Sequence, residues 1–197
     1  MKSPSGGALA SHVNITRRKL AELENQHQPL HDPLTGVTNQ VLFRKRLLAQ
    51  MRRESACPLR PQVGVIYVRL DGLADVNDNF GYAAGDEVLV VAAHRILVCL
   101  GQADTLARLG DARFAICAAS TNPAHLTALA ARIAAALAEP QRIHGQQVAC
   151  RASIGTYLAG PDDTVSNAML AAEQAMYAVR QQQMYAVRQQ QEHQVPA

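Results

Sequence analysis

The chain lacks the features that mark several large functional classes. No apolar run approaches the ~18–20 residues that a membrane-spanning helix needs, and no signal peptide is visible. The net charge of +3 is too small to indicate a nucleic-acid or membrane partner. There is no P-loop and no G-x-G-x-x-G, and the seven histidines show no ligand spacing such as H-E-x-x-H. We therefore expect a cytoplasmic protein that binds no nucleic acid and, through this segment, no membrane.

Cysteines are also few, and no two of them form a C-x-x-C pair. Their wide separation favours reduced thiols in the cytoplasm over a disulfide framework or a zinc site. The four cysteines are Cys57, Cys99, Cys117 and Cys150.

What the chain does have is enough apolar sequence for a folded body. At 197 residues and 48% apolar content, one domain with a full core and some additional segments is expected. Residues 1–30 are predicted to be a flexible start followed by a charged linker or signalling helix at 14–28. The domain itself is predicted over 31–183, and 184–197 is predicted to be a tail that extends a helix or acts as a linker.

The order of helical and strand patterns predicts an α/β domain with one mixed or antiparallel sheet. Asn39 is the predicted cap of the first helix after a turn at His31–Gly36. The predicted elements that follow are a helix through Met51, a strand Val63–Leu70, a helix Leu73–Phe80, a loop Gly81–Gly85, a helix Asp86–Leu100, hairpin strands Asp104–Leu109 and Arg113–Ala118, a helix 123–138, hairpin strands Arg142–His144 and Gln147–Leu158, and a helix from Val165.

The tail carries a direct repeat, because Met176–Gln183 recurs without change at 184–191. Eight residues overshoot two helical turns by ~80°. The second Met-Tyr pair is therefore predicted to face away from the first and to extend a solvated helix or linker.

The stretch Arg108-Leu-Gly-Asp-Ala-Arg-Phe114 reads as a tight hairpin turn, and it resembles the Arg-x-Gly-Gly-Asp/Glu-Glu-Phe signature of bacterial diguanylate cyclases. Further motifs of this GGDEF family follow at matching spacing. They are His31-Asp-Pro-Leu-Thr-Gly-x-x-Asn39, Leu70-Asp-Gly-Leu-Ala-Asp-Val-Asn-Asp-Asn-Phe-Gly-Tyr-Ala-Ala-Gly-Asp86, Ser153-Ile-Gly155 and Ala172-Glu-Gln-Ala-Met-Tyr177. The resemblance implies a nucleotide-cyclase-like α/β (α+β) fold, in which helices surround a central, mostly antiparallel mixed sheet of about five strands.

In that family two GTP molecules condense into cyclic di-GMP with the help of carboxylate-bound metal ions. The resemblance places Arg69 and Ala112 at the two metal-ligand positions, so both ligands are lost. It places Ala74 at a phosphate-binding Lys. The signature positions are Gly110, Asp111, Ala112, Arg113 and Phe114, where Asp111 replaces a Gly and Arg113 an acid. No catalytic residue is intact, and no cofactor is expected; Mg²⁺ is implied only if the domain is active.

The resemblance also places Asn77 and Asp86 where the family recognises guanine. Two structural alternatives stay open, namely that Asn77 stabilises a turn and that Asp86 favours a helix N-terminus. The family's product-inhibition motif, Arg-x-x-Asp, corresponds to Gly101–Asp104 and lacks its Arg. We expect Asp104 to be a solvated acid at a strand edge.

Three hypotheses follow. The first is a catalytically silent regulatory or dimerisation module that retains GTP binding through Asn77 and Asp86. The second is an active cyclase in which Arg69 and Arg113 carry the triphosphate charge. The third is a structural module that binds no nucleotide, with a salt bridge from Arg69 to Asp111. Because 14–28 resembles the linker that leaves PAS sensor domains, a PAS domain upstream is an implied partner. The family resemblance alone implies an EAL phosphodiesterase domain downstream and a homodimer.

Overall fold

The structure, a computed structural model, describes residues 30–55, 62–143 and 145–192. Its central feature is a five-stranded sheet. In spatial order the strands are β1 (Thr38–Asn39), β3 (Thr105–Gly110), β4 (Arg113–Thr121), β2 (Gln62–Asp71) and β7 (Arg151–Ala159). The pairing of β1 with β3 is parallel and every other pairing is antiparallel. The predicted mixed, mostly antiparallel sheet of about five strands is confirmed.

Five helices and a separate two-stranded ribbon complete the described part of the chain. The helices are α1 (Gln40–Ser55), α2 (Leu73–Phe80), α3 (Tyr82–Cys99), α4 (Pro123–Ala138) and α5 (Val165–Glu192). The ribbon pairs β5 (Gln141–Ile143) with β6 (Gln146–Val148). None of these helices combines the length and apolar character that crossing a bilayer requires.

Strand β2 is nearly continuous in apolar residues because both faces of the sheet are covered. Its side chains at Ile66, Val68 and Leu70 belong to the core formed with α3 and α4. The alternate side chains at Val65 and Tyr67 belong to a second core formed with α1 and α5. Successive side chains of a strand point to opposite faces of the sheet. Arg69 and Asp71 therefore lie on the same face as Val65 and Tyr67, which is the face covered by α5.

Two helix starts follow the capping rules. The Asn39 side chain accepts a hydrogen bond from the Leu42 amide at 2.9 Å, as the sequence predicts. At α4, the Asn122 side chain accepts from the His125 amide and Pro123 occupies the first turn. Both starts are set by local sequence alone.

Two predicted boundaries are wrong. The loop at Gly81–Gly85 shrinks to Gly81, whose φ of +84° breaks the chain between α2 and α3, and α3 begins at Tyr82. One left-handed glycine suffices for this turn, so the following alanines remain helical. The strand predicted at Gln147–Leu158 is two strands, β6 and β7, because the chain leaves the ribbon at buried Cys150 and joins the main sheet beside β2.

Helix α5 packs on β7 at Gly155, whose missing side chain permits backbone contact. A Cβ atom there would lie 2.1 Å from the Met176 nitrogen and 2.3 Å from the Ala172 oxygen. The helix continues through the repeat to Glu192. Met176 is fully buried whereas Met184 is 49% exposed, so the second copy faces away from the core as the helical spacing predicts.

Cys99, Cys117 and Cys150 are free thiols, as the sequence predicts. Three other predictions, the helix at 14–28, the thiol of Cys57 and the strand end at His144, lie outside the described residues.

Candidate functional site

The hairpin between β3 and β4 forms one wall of the candidate site. Asp111, the first residue of its turn, has a φ of +44°, a left-handed conformation that Gly adopts freely and Asp tolerates. The Arg108 guanidinium donates to the Asp111 carbonyl from Nε at 3.2 Å and from Nη2 at 3.1 Å. Its Nη1 donates to Asp32 Oδ1 at 3.2 Å. Arg108 therefore joins the hairpin to the turn at the start of the domain.

The carboxylate of Asp32, which accepts from Arg108, is held in place by Thr35. It accepts from the Thr35 amide at 2.8 Å and from the Thr35 hydroxyl at 2.7 Å. Burial alone would raise the pKa of Asp32, but the hydrogen bonds from Thr35 and Arg108 and the charge of Arg108 outweigh it. The pKa consequently lies below its usual value.

The floor of the site is a pair of arginines, Arg69 and Arg113, which are direct cross-strand partners on β2 and β4. Arg113 Nη2 lies 3.3 Å from the carboxylate of Asp111, which is 86% exposed. Arg113 Nε is buried and has no hydrogen-bond partner. The salt bridge from Arg69 to Asp111 that the third hypothesis predicts is wrong, because the partner of Asp111 is Arg113.

Asp71, two residues beyond Arg69, is the nearest acid along β2, and it is engaged by other side chains. Its Oδ2 accepts a 2.6 Å hydrogen bond from the Ser153 hydroxyl. Its Oδ1 lies 3.2 Å from Nε of Arg180, outside hydrogen-bond geometry. Gln183 also contacts the Ser153 hydroxyl, with its Oε1 at 3.1 Å. Sequence reasoning missed Arg180 and Gln183, although both follow buried Met176 at helical spacing.

These side chains do not fit a magnesium ion at Arg69 and Ala112, the two positions that the resemblance assigns to metal ligands. Ala112 offers no side-chain ligand, and its carbonyl accepts the Leu70 amide at 2.9 Å. Arg69 and Arg113 offer only donors, whereas Mg²⁺ requires oxygen ligands. A guanidinium ~4 Å from a divalent cation costs about 8 kcal/mol at an effective dielectric of ~20. No cluster of three metal-ligating side chains occurs among the described residues.

The two guanine-recognition candidates meet at the junction of α2 and α3. The Asn77 side chain packs against Gly85, where a Cβ atom would lie 1.9 Å from Asn77 Oδ1. That oxygen is buried without a hydrogen-bond partner. Asp86 follows Gly85 and is exposed. Since α3 begins at Tyr82, Asp86 lies beyond the first turn, and its predicted alternative role at a helix N-terminus is wrong.

Asp104 is bonded to backbone rather than solvated, which corrects its predicted role. Its Oδ2 accepts from the Gly101 amide at 2.8 Å and its Oδ1 from the Ala119 amide at 3.0 Å. The carboxylate thus closes the turn before β3 and connects it to β4.

The fold and hairpin define a nucleotide-cyclase-like domain, and comparison with known proteins names its family. The family model described as the GGDEF domain of diguanylate cyclases matches residues 29–185, so the chain belongs to this family. It is similar to a bifunctional diguanylate cyclase/cyclic di-GMP phosphodiesterase, MucR of Pseudomonas aeruginosa. The two are 32% identical over 170 residues, which is 86% of this chain and 24% of MucR.

Solved structures agree with the fold. The GGDEF domain of TpbB (YfiN) from P. aeruginosa superposes with a TM-score of 0.73 and 34% identity, covering 77% of this chain and 89% of that one. A sensory box/GGDEF family protein from Caulobacter crescentus gives 0.73 and 32%, covering 78% and 99%. The chain spans 24%, 22% and 36% of the length of three curated relatives, MucR, a C. vibrioides signalling protein and TpbB of P. aeruginosa.

Proposed function

We propose that this GGDEF domain does not synthesise cyclic di-GMP and acts instead as a regulatory and dimerisation module that binds GTP. The observation that carries the proposal is the arginine pair, Arg69 and Arg113, which are cross-strand partners at the positions of a lost metal ligand and a lost acid. Positive charge there opposes the metal that the family's reaction needs.

All four replacements act against the binding of a metal-bound triphosphate. Arg69 and Ala112 remove metal ligands, Ala74 removes a phosphate-binding amine, and Asp111 adds a carboxylate where the triphosphate would approach. Arginines can bind phosphate oxygens, but they cannot activate the 3′-hydroxyl as a metal-supported site does. Turnover needs both phosphate binding and activation of the 3′-hydroxyl, so loss of the activation ends catalysis.

GTP binding is the activity that the remaining residues support. Asn77 Oδ1 has no hydrogen-bond partner, and exposed Asp86 follows the glycine on which Asn77 packs. An amide and a carboxylate together complement the donors and acceptors of guanine. Binding through the base alone is weak, and it does not depend on Mg²⁺.

The domain is proposed to work as one part of a longer protein, with a PAS sensor before it and an EAL domain after it. The short share of MucR that this chain spans, 24%, supports a multidomain arrangement. A domain that binds GTP without turning it over transmits the signal of the PAS sensor to the EAL domain through altered contacts between domains, and not by making cyclic di-GMP.

Calorimetry with GTP, with and without Mg²⁺, tests the proposal. We expect weak binding that Mg²⁺ does not strengthen, and loss of that binding in Asn77→Ala/Asp86→Ala. The matched control, Asp78→Ala/Glu87→Ala, changes the exposed neighbour of each residue and should bind as the parent does. Absence of heat at millimolar GTP would establish the structural module instead, and chromatographic detection of cyclic di-GMP would establish an active cyclase.

Restoring the lost groups tests the assignment of positions. Arg69→Asp, Ala74→Lys, Asp111→Gly and Ala112→Glu together should confer GTP binding that requires Mg²⁺, because they return oxygen ligands and a phosphate-binding amine. A folded quadruple variant that binds no Mg-GTP would show that these positions are misassigned.

A further inference from the structure

We propose that the arginine pair, Arg69 and Arg113, is a metal-independent binding site for a phosphate-bearing anion. The inference rests on the proposed function in one respect, since it assigns the phosphate end of the same nucleotide site. It goes further by naming the groups that replace the metal, and it predicts that Mg²⁺ weakens binding where recognition of the base alone predicts no effect.

The first argument is the placement of two like charges opposite each other. Direct cross-strand pairs bring Cβ atoms to ~4.5–5.5 Å, where like charges are destabilising. Within the described residues no carboxylate lies within 4.0 Å of the Arg69 guanidinium nitrogens. Arg113 has only the 86% exposed Asp111 carboxylate at 3.3 Å. The pair therefore has more positive charge than its surroundings neutralise.

The second argument is that neighbouring acidic groups are already used. Asp71 faces Arg180 and accepts from Ser153. Glu173 accepts a 3.0 Å hydrogen bond from the Tyr67 hydroxyl. Burial and the hydrogen bond and charge of Glu173 raise the pKa of Tyr67 to about 12, against an opposing hydrogen bond and charge from Arg113. The neutral hydroxyl is therefore a polar neighbour of Arg113 that adds no negative charge.

The third argument is a buried donor of Arg113 that makes no hydrogen bond. Arg113 Nε is buried without an acceptor, and unpaired buried donors are rare in proteins. A Cβ atom on Gly110, in the adjoining hairpin, would meet no described atom within 4 Å. Two guanidinium groups can bridge the oxygens of one phosphate in a forked geometry. A di- or triphosphate suits the site better than a carboxylate because it brings several charges to a multiply cationic strand end.

Calorimetry in EDTA with inorganic tripolyphosphate and with GTP tests the inference and separates its two sources of phosphate. Both probes should bind, and Arg69→Thr/Arg113→Thr should weaken each by at least about tenfold, since each arginine supplies charge-assisted hydrogen bonds. Arg142→Thr removes an exposed arginine from β5, in the separate ribbon, and should leave both affinities unchanged. Added Mg²⁺ should weaken binding severalfold, because it neutralises the phosphate charge that the arginines attract.

The possible outcomes separate this inference from the proposed function. If tripolyphosphate binds through the arginines but GTP binds no tighter and Asn77→Ala/Asp86→Ala has no effect, the anion site stands and guanine recognition fails. If GTP binding survives the loss of both arginines but not of Asn77, the anion site is refuted and the proposed function stands. Stronger binding with Mg²⁺ also refutes the anion site.

Single substitutions keep the test valid if the double variant does not fold. Arg69→Thr alone should weaken tripolyphosphate binding, and Arg69→Lys should give an intermediate affinity, because an ammonium keeps the charge and loses the fork. Equal affinities for Arg69→Lys, Arg69→Thr and the parent would contradict the inference.

Discussion

Two regions of this domain differ in how much change they tolerate. At the junction of β7 and α5, Gly155 lies against the backbone of Met176 and Ala172, and no additional atom fits. Where β2 ends and β4 begins, the arginine pair lies beside Asp111, which is 86% exposed. The resemblance assigns acids and a glycine to these positions. The junction carries the landmark Ser153-Ile-Gly155, whereas the strand end is the place where we propose that the metal ligands are lost.

The difference has a physical cause. Interiors are packed at crystal-like density, so one additional methyl group at the junction displaces backbone. The charged side chains at the strand end are partly exposed, with Arg113 at 35% and Asp111 at 86%, so water solvates part of each charge at little cost in stability. Substitutions at this strand end are therefore expected to change the free energy of folding little. Three substitutions test this contrast.

The largest effect is expected at the junction. Gly155→Ala places a Cβ atom 2.1 Å from the Met176 nitrogen, and neither backbone can yield without unpacking α5 from the sheet. We expect the free energy of unfolding to fall by about 3 kcal/mol, the upper end of the usual cost of overpacking. Urea denaturation followed by circular dichroism measures this.

The matched control is Gly160→Ala, just after the same strand. Its Cβ atom would be 3.5 Å from the nearest atom, Asp163 Oδ2, which is ordinary contact. The control should change stability by less than about 1 kcal/mol. Equal effects of the two substitutions would remove the distinction between the regions.

An intermediate effect is expected for Arg108→Gln, because Arg108 links the hairpin to the turn at the start of the domain. The substitution removes hydrogen bonds to Asp32 and to the Asp111 carbonyl, and we expect a loss of about 2 kcal/mol at pH 7. Arg142→Gln, an exposed arginine on β5, should have no measurable effect.

The loss in Arg108→Gln should also depend on pH. The folded pKa of Asp32 lies below its usual value, so the stability that its ionised form contributes is complete above pH ~4 and disappears as the pH falls through the folded pKa. The difference between parent and variant should therefore shrink below about pH 4. The bonds to the Asp111 carbonyl leave a remainder that is independent of pH. A difference that grows in acid would contradict the role of Asp32.

The smallest effect is expected at the strand end, where the substitution should raise stability instead of lowering it. In the absence of ligand, Arg69→Thr should raise stability by about 0.5 kcal/mol, because it removes the repulsion from Arg113. The gain should vanish in 1 M salt, where charges are screened within ~3 Å. It should also be absent when Arg113 has already been changed to Thr, which a double-mutant cycle in urea measures. A loss of stability at low salt would show that Arg69 is a structural residue.

Much of the fold could be predicted from local sequence. The caps at Asn39 and Asn122, the buried pattern of β2 and the rotation of the second Met-Tyr pair depend on neighbours within a few residues. The two wrong boundaries have different causes. At Gly81 a single glycine separates two helices where a loop was predicted, and around Cys150 one predicted strand is divided between the ribbon and the main sheet.

The sequence by itself determined the order of most elements and which residues occupy the candidate site positions, including Arg69 and Ala112. Only the tertiary structure decided what those residues face. The register of β2 on β4 makes Arg69 and Arg113 partners, and the packing of α2 on α3 presses Asn77 against Gly85. Such pairings join residues far apart in the chain, and sheet hydrogen bonds and close packing select them. The hairpin that resembles a catalytic signature is therefore, in the folded domain, one wall of a cationic strand end.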